Sequence, residues 1–195
     1  IVTNNDDPEN QGRVRCKFPW LDTDLESAWA RVVGLGAGGE RGAFWLPEVN
    51  DEVLVGFEQG DISRPFVLGG LWSGAEAPPI AASQAVANGS VVQRALVTRT
   101  GHKIVFQDEN PAAVIIESVA GHKIVIDDDN AKIELTTSGG NSLVLDDNGQ
   151  KIAVKSVGML EIEASTNLSI KASGNMNLEA SGNMTVKGAI IQLNP

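Results

Sequence analysis

The chain has 195 residues, 42% of them apolar, and a net charge of −10, so it is long and apolar enough to bury a core and is not a disordered tail. Twelve acidic residues against six basic ones before position 76, and thirteen against nine after it, leave both halves negative and argue against nucleic acid as a partner, since that binding rests on neutralising phosphates. One cysteine, Cys16, excludes an intrachain disulfide and a cysteine-ligated zinc site, and no apolar run of about eighteen residues is present to span a bilayer.

The chain begins with Ile1 rather than methionine, as expected of a processed or partial chain, so the lack of a basic-plus-apolar leader carries no information. From Arg13 to Leu71 the apolar residues fall in short runs broken by turn chemistry, which predicts strands at Arg13–Phe18, Ala28–Leu35, Ala43–Leu46, Glu52–Phe57 and Pro65–Leu71. The intervening "LDTDLES", "GAGGERG", "PEVND" and "EQGDISR" carry turn residues, and Cys16 reads as a small buried residue on a strand. Five short strands in about sixty residues suit an OB-type barrel, because closure removes exposed sheet edges. Gly34-x-Gly36-x-x-Gly39 fits a phosphate-cradling spacing, but a strand with a proline follows it instead of a helix, so a hairpin loop is the better reading.

After Trp72, "SGAEAPPIAASQAVANGS" (Ser73–Ser90) reads as a connector. The expected division is a barrel over 1–75, a connector over 76–99 and a repetitive region over 100–195. All four tryptophans (Trp20, Trp29, Trp45, Trp72) precede residue 75, and no aromatic residue follows Phe106, so two architectures are joined. "TGHKIVFQDEN" returns as "AGHKIVIDDDN" and, more loosely, as "GGNSLVLDDNG", with the alternating stretches "AVIIES", "KIELTT" and "KIAVKS" between and after them. This is strand, turn, strand, turn with a repeat of about twenty residues.

From Val157 the unit shortens to eight: "VGMLEIEA", "STNLSIKA", "SGNMNLEA", "SGNMTVKG". Leu160 and Ile162, Leu168 and Ile170, Met176 and Leu178, Met184 and Val186 alternate with polar neighbours, so each octad reads as a strand with one dry face. A helix is excluded because residues two apart do not share a helical face. Gly and Asn at positions two and three are expected corners, where positive φ is tolerated. One octad spans about 26 Å and offers too few apolar side chains to form a core alone. Either one chain coils into a solenoid, or several chains wind together with the small Ala164, Ala172, Ala180 and Gly188 where their walls meet.

"NNDDPENQGRVRCKFPWL", "RGAFWLPEVNDEVLVGFEQGDISRPFVLGGLW" and the terminal octads resemble the VgrG spike proteins of type VI secretion systems and the central spikes of contractile phage tails and extracellular injection systems. In the motif, Asn50 stands where glycine is usual. The resemblance implies an all-β chain: an OB-fold barrel followed by an intertwined trimeric β-helix, a triangular β-prism. It further implies a homotrimer with a core of Leu160, Ile162, Leu168, Ile170, Met176, Leu178, Met184 and Val186. A PAAR-type tip protein would dock on Ile190, Ile191, Leu193, Asn194 and Pro195. Baseplate, hub and inner-tube proteins are the other expected partners, with transient contact to a target envelope. Assembly is expected in the bacterial cytoplasm within a contractile particle, which is extracellular after release or firing. The alternative is an OB-fold/β-solenoid adhesin or glycan-binding module.

Sharper chemical readings are weaker. His102 and His122 share a repeat phase and invite a metal site, but a corner residue beside Gly101 or Gly121 is the better reading. "DDDNAKIE" (Asp127–Glu134) lacks the spacing of a calcium loop and reads as a solvated turn. Glu161 and Glu163, about 7 Å apart on one strand face, overlap the carboxylate separation of inverting glycosidases but have no aromatic platform or pocket. No enzyme activity, cofactor or metal is expected.

Overall fold

A computed structural model describes residues 1–21 and 25–193. Asp22, Thr23 and Asp24 of the "LDTDLES" turn, and Asn194 and Pro195 of the expected tip, lie outside the described residues.

The first seventy residues make a small closed barrel from five strands: β1 (Val2–Asn4), β2 (Arg15–Cys16), β3 (Arg31–Val32), β4 (Val53–Phe57) and β5 (Pro65–Gly70). β1 pairs with β2, bridges at Val14–Ala30 and Lys17–Glu26 join β2 to the stretch leading into β3, β3 runs parallel to β5, and β5 pairs antiparallel with β4. The ring then closes on itself. The Val2 amide donates to the Asp51 carbonyl and the Asn50 amide to the Val2 carbonyl, both at 2.9 Å, which lays the approach to β4 against β1.

Five strands are present, but they are not the expected five. Ala43–Leu46 is not a strand; its one ladder-like contact is the Ala43 amide donating to the Leu35 carbonyl at 2.9 Å, which closes the glycine-rich hairpin. The missing strand is Val2–Asn4, too short to show alternation yet able to supply the closing edge. Alternation elsewhere sorts side chains as anticipated. Val14, Cys16 and Phe18 point inward with Val2, Ala30 and Val67, and Val53, Val55 and Phe57 pack against them while Leu54 faces out. Each fully buried valine stabilises the barrel by about 1.5 to 3 kcal/mol.

Two positions show why particular residues stand in the turns. Asn50 has φ 81°, a left-handed conformation that asparagine tolerates nearly as well as the glycine usual there. Asp7 is buried and organises the loop after β1. It accepts the Glu9, Gln11 and Arg13 amides at 3.0, 3.0 and 3.2 Å and the Arg13 guanidinium at 2.9 and 2.8 Å. The Arg13 hydrogen bonds, helped by those amides and opposed by burial, hold the Asp7 carboxyl far below its ordinary range.

The connector is partly structured. It holds one helical turn, α1 (Ala82–Ala85), and a hairpin of β6 (Val86–Ala87) and β7 (Ser90–Val91). Asn88 and Gly89, at φ 50° and 82°, give that hairpin the twist that suits two-residue turns. The next strand, β8 (Gln93–Val97), already belongs to the large sheet, so the repetitive region opens seven residues before Thr100.

That sheet is a seven-stranded antiparallel meander of β8, β9 (Lys103–Gln107), β10 (Ala113–Glu117), β11 (Lys123–Asp127), β12 (Lys132–Thr136), β13 (Ser142–Asp146) and β14 (Lys151–Lys155). All seven are five residues long and pair without slippage. The repeat copies are β9, β11 and β13, and the stretches between and after them are β10, β12 and β14.

The octads behave differently from expectation. No residue from 156 to 193 lies in a strand, so in the single chain they are extended segments without a ladder. Their period survives as bends at Val157–Gly158, Ser165–Thr166, Ser173–Gly174, Ser181–Gly182 and Ala189–Ile190, one every eight residues. These corners fall at positions one and two rather than two and three. Gly158, Gly174 and Gly182 are not among the positive-φ residues, and a Cβ at any of them would meet no atom within 4 Å. Their smallness therefore answers to something other than backbone conformation within this chain.

Candidate functional site

The register of the meander sorts its side chains into two unlike faces. On one face, Leu96, Ile104, Ile116, Ile124, Leu135, Leu143 and Val154 form a continuous column across all seven strands. Beside it runs a second column of Phe106, Val114, Ile126, Ile133, Leu145 and Ile152, which ends at Arg94, paired with Asp108 at 2.6 Å. Among the described residues no layer covers these columns: Ile104 and Val114 are half-buried and the other apolar members are exposed. The residues from Ile124 to Leu145 keep 36 to 44% of their surface exposed, and Ile152 keeps 72%.

The other face carries charges of alternating sign across the strands. Lys103 lies opposite Glu117, at 3.3 Å between charged atoms, and Glu117 lies opposite Lys123. Along the other margin Asp127, Lys132, Asp146 and Lys151 follow one another. Lys132 also pairs with Glu134, and that bond, with Asp146 and Asp127 nearby, raises its pKa against the opposing effect of burial. Between these charged margins runs a third column, Ala95, Val105, Ile115, Val125, Glu134, Val144 and Ala153, apolar at all but Glu134, so it is the margins that suit water, and their charge order disfavours slipped registers.

A sheet with one apolar face must bury it against another layer. Among the described residues of the meander the buried apolar residues, Val105 and Ala113, both lie on the face with the charged margins, and none lies in the two apolar columns. The two-residue spacing of the apolar columns carries into the octads with a step of eight: Ile152 and Val154, then Leu160 and Ile162, Leu168 and Ile170, Met176 and Leu178, Met184 and Val186. All eight octad residues are exposed, from 47% at Met176 to 74% at Leu178. At the C-terminal end Ile190, Ile191 and Leu193 are exposed at 82, 50 and 85%. The expected core residues and Ile190, Ile191 and Leu193 are thus exposed in the single chain, as the apolar columns of the sheet are. The sheet residues of these columns lie outside the expected core, because "KIVFQ", "AVIIE" and "KIVID" are continuous apolar runs whose two faces separate only through the two-residue period of a strand.

The histidines hold corners together. The His102 Nδ1 accepts the Val119 amide at 3.4 Å and the His122 Nδ1 accepts the Ser138 amide at 3.3 Å. Asn141, third in the series, does the same through its side-chain oxygen with the Val157 amide at 2.9 Å. The acidic turns likewise satisfy backbone. Asp127 accepts the Asn130 amide and side chain, both at 2.9 Å, Asp146 accepts the Gly149 amide at 2.7 Å, and the Asn130 side chain holds the Asp127 carboxyl below its ordinary value. Glu161 and Glu163 are simply exposed.

Residues 1–72 match the family described as "Type VI secretion system/phage-baseplate injector OB domain". The chain is 34% identical over 77 residues to the type VI secretion system spike protein VgrG3 of Vibrio cholerae, covering 37% of this chain and 8% of that protein. It is 37% identical over 75 residues to the spike protein VgrG4b of Pseudomonas aeruginosa, covering 36% of this chain and 9% of that one. It is 32% identical over 75 residues to the actin cross-linking toxin VgrG1 of Vibrio cholerae, covering 36% of this chain and 7% of the toxin. The matched stretch is less than a tenth of each relative's length. The closed barrel of five strands, the matching domain and these relatives together identify residues 1–72 as an injector OB domain of the type VI secretion and phage-baseplate kind.

Proposed function

We propose that three copies of this chain assemble into the shaft of a spike in a contractile injection machine, with the barrels at one end and the octads forming the needle. The observation that carries this reading is the uncovered apolar face of the meander, continued without a change of phase by octads that have no ladder of their own. Three such sheets around an axis would bury the columns, turn the charged faces outward, and let octads of neighbouring copies complete one another's backbone hydrogen bonds. Closure also removes the free edges of β8 and β14.

The work of such a part is mechanical. It transmits force to a target envelope and turns over no substrate. The exposed Ile190, Ile191 and Leu193, with Asn194 and Pro195 after them, are the proposed seat of a PAAR-type tip protein, while hub, baseplate and inner-tube proteins would hold the barrel end. Assembly would take place in the bacterial cytoplasm, with extracellular exposure on release or firing.

Native mass measurement tests the assembly. A trimer that resists heat and detergent is expected, and a monomer or dimer overturns the reading. Removal of residues 190–195 should leave the trimer intact and abolish capture of a PAAR-type protein; equal capture by the shortened chain overturns the tip assignment.

A further inference from the structure

Three corners on one margin of the meander are built alike. Thr98, Ser118 and Thr137 each accept, through the side-chain oxygen, the amide of the residue four positions on, His102, His122 or Asn141, at 3.1 Å in every case. Each also donates its own amide to that residue's carbonyl, at 2.9, 2.9 and 3.0 Å. Gly101, Gly121 and Gly140 complete the turns at φ 99°, 84° and 92°.

The side chain at the end of each corner then reaches forward to the next. His102 holds the Val119 amide and His122 the Ser138 amide, so the first two links join corner to corner inside the sheet. The third link is different in what it joins. Asn141 holds the Val157 amide, and Val157 opens the first octad. Contact tightens at the same place: a Cβ on Gly101 or Gly121 would stand 3.9 or 3.7 Å from the residue held, whereas one on Gly140 would stand 3.3 Å from the Val157 side chain.

The fourth corner does not repeat the pattern. The Ser156 side-chain oxygen accepts the Gly158 amide at 3.2 Å and donates to the Met159 carbonyl at 3.0 Å, which opens the turn into an extended path. Beyond it, no backbone-to-backbone hydrogen bond is found among the described residues of the octads. Among the described residues the last hydrogen bond between the sheet and the departing octads is therefore the one that Asn141 accepts.

We infer that Asn141 is a positioning residue for the needle: it fixes where and in which direction the octads leave the sheet, so that Leu160 and Ile162 continue the columns of Ile152 and Val154. This rests on the trimeric reading above. The function of the link is the acceptor, not the side chain's shape, because histidine serves in the same place twice.

The test compares the intact chain with Asn141→Ala and Asn141→His, following native mass, sheet content by far-UV circular dichroism, and protease cleavage within residues 157–193. Asn141→Ala should remain a trimer with its sheet while its octads are cut about tenfold faster, and Asn141→His should stay within about twofold of the parent. Equal protection of Asn141→Ala and the parent overturns the inference. So does cleavage of Asn141→His as fast as Asn141→Ala, or loss of the sheet in Asn141→Ala, since the residue would then serve the sheet and not the junction. A parent chain that is monomeric with unprotected octads fails the trimeric reading itself, and the positioning role falls with it.

Discussion

Replacing Ile133 by aspartate probes the apolar face directly. Ile133 lies opposite Ile126 and Leu145 in the second column and keeps 43% of its surface exposed in the single chain. Covering that remainder on assembly is worth about 1 kcal/mol, the matching fraction of the roughly 1.5 to 3 kcal/mol for burying such a side chain. The larger effect is electrostatic. Three copies would bring three carboxylates into a dry seam, each costing several kcal/mol if charged and unpaired, or forcing uptake of a proton. In an unassembled chain the same position is half wet, and the penalty is limited to about 1 kcal/mol of strand preference. Ile133→Asp should therefore abolish the trimer by native mass measurement. Lys123→Ser, on the charged face of the adjoining strand, should leave it intact. An Ile133→Asp trimer with unchanged Tm would refute the packing argument, and loss of the trimer by both variants would refute the assignment of faces.

Other outcomes follow from single residues. The Asp7 carboxyl sits below its ordinary value of 3.8, so its contribution to stability is present above that pH and is lost as pH falls through and below it; Asp7→Asn should lower Tm at pH 7 and flatten the acid loss, and an unchanged pH profile would sink this role. Asn50→Gly should be nearly neutral, while Asn50→Val should destabilise the barrel by about 1 to 2 kcal/mol in urea unfolding, because a branched residue is strained at φ 81°. His102→Asn and His122→Asn should keep Tm within about 2 °C of the parent, since Asn141 already serves that link, whereas the alanine variants should melt lower.

Much of the plan is written locally. The two-residue period of a strand decides which side chains of "KIVFQ" or "KIELT" share a face, and the turn residues between the repeats place the strands of the meander. The eight-residue rhythm of the C-terminal third reappears as bends at the same interval, although the bends fall one residue earlier than the Gly-Asn pairs indicate. Cys16 lies buried on its strand as expected, with burial raising its thiol pKa.

What only the tertiary structure decided are the pairings between distant segments. Val2–Asn4 closes the barrel in place of Ala43–Leu46 because closure depends on which edge reaches Asn50 and Asp51, and no local pattern encodes that. The shared task of His102, His122 and Asn141 is likewise invisible until the corners stack, since each partner lies 16 or 17 residues further on. The sequence by itself determined the strands of the meander, the two-residue period that sorts their faces and the eight-residue period of the octads, all set by neighbours in the chain. The ring closure, the uncovered sheet face and the link from Asn141 to the first octad depend on long-range contacts, which are fixed only when the whole chain folds.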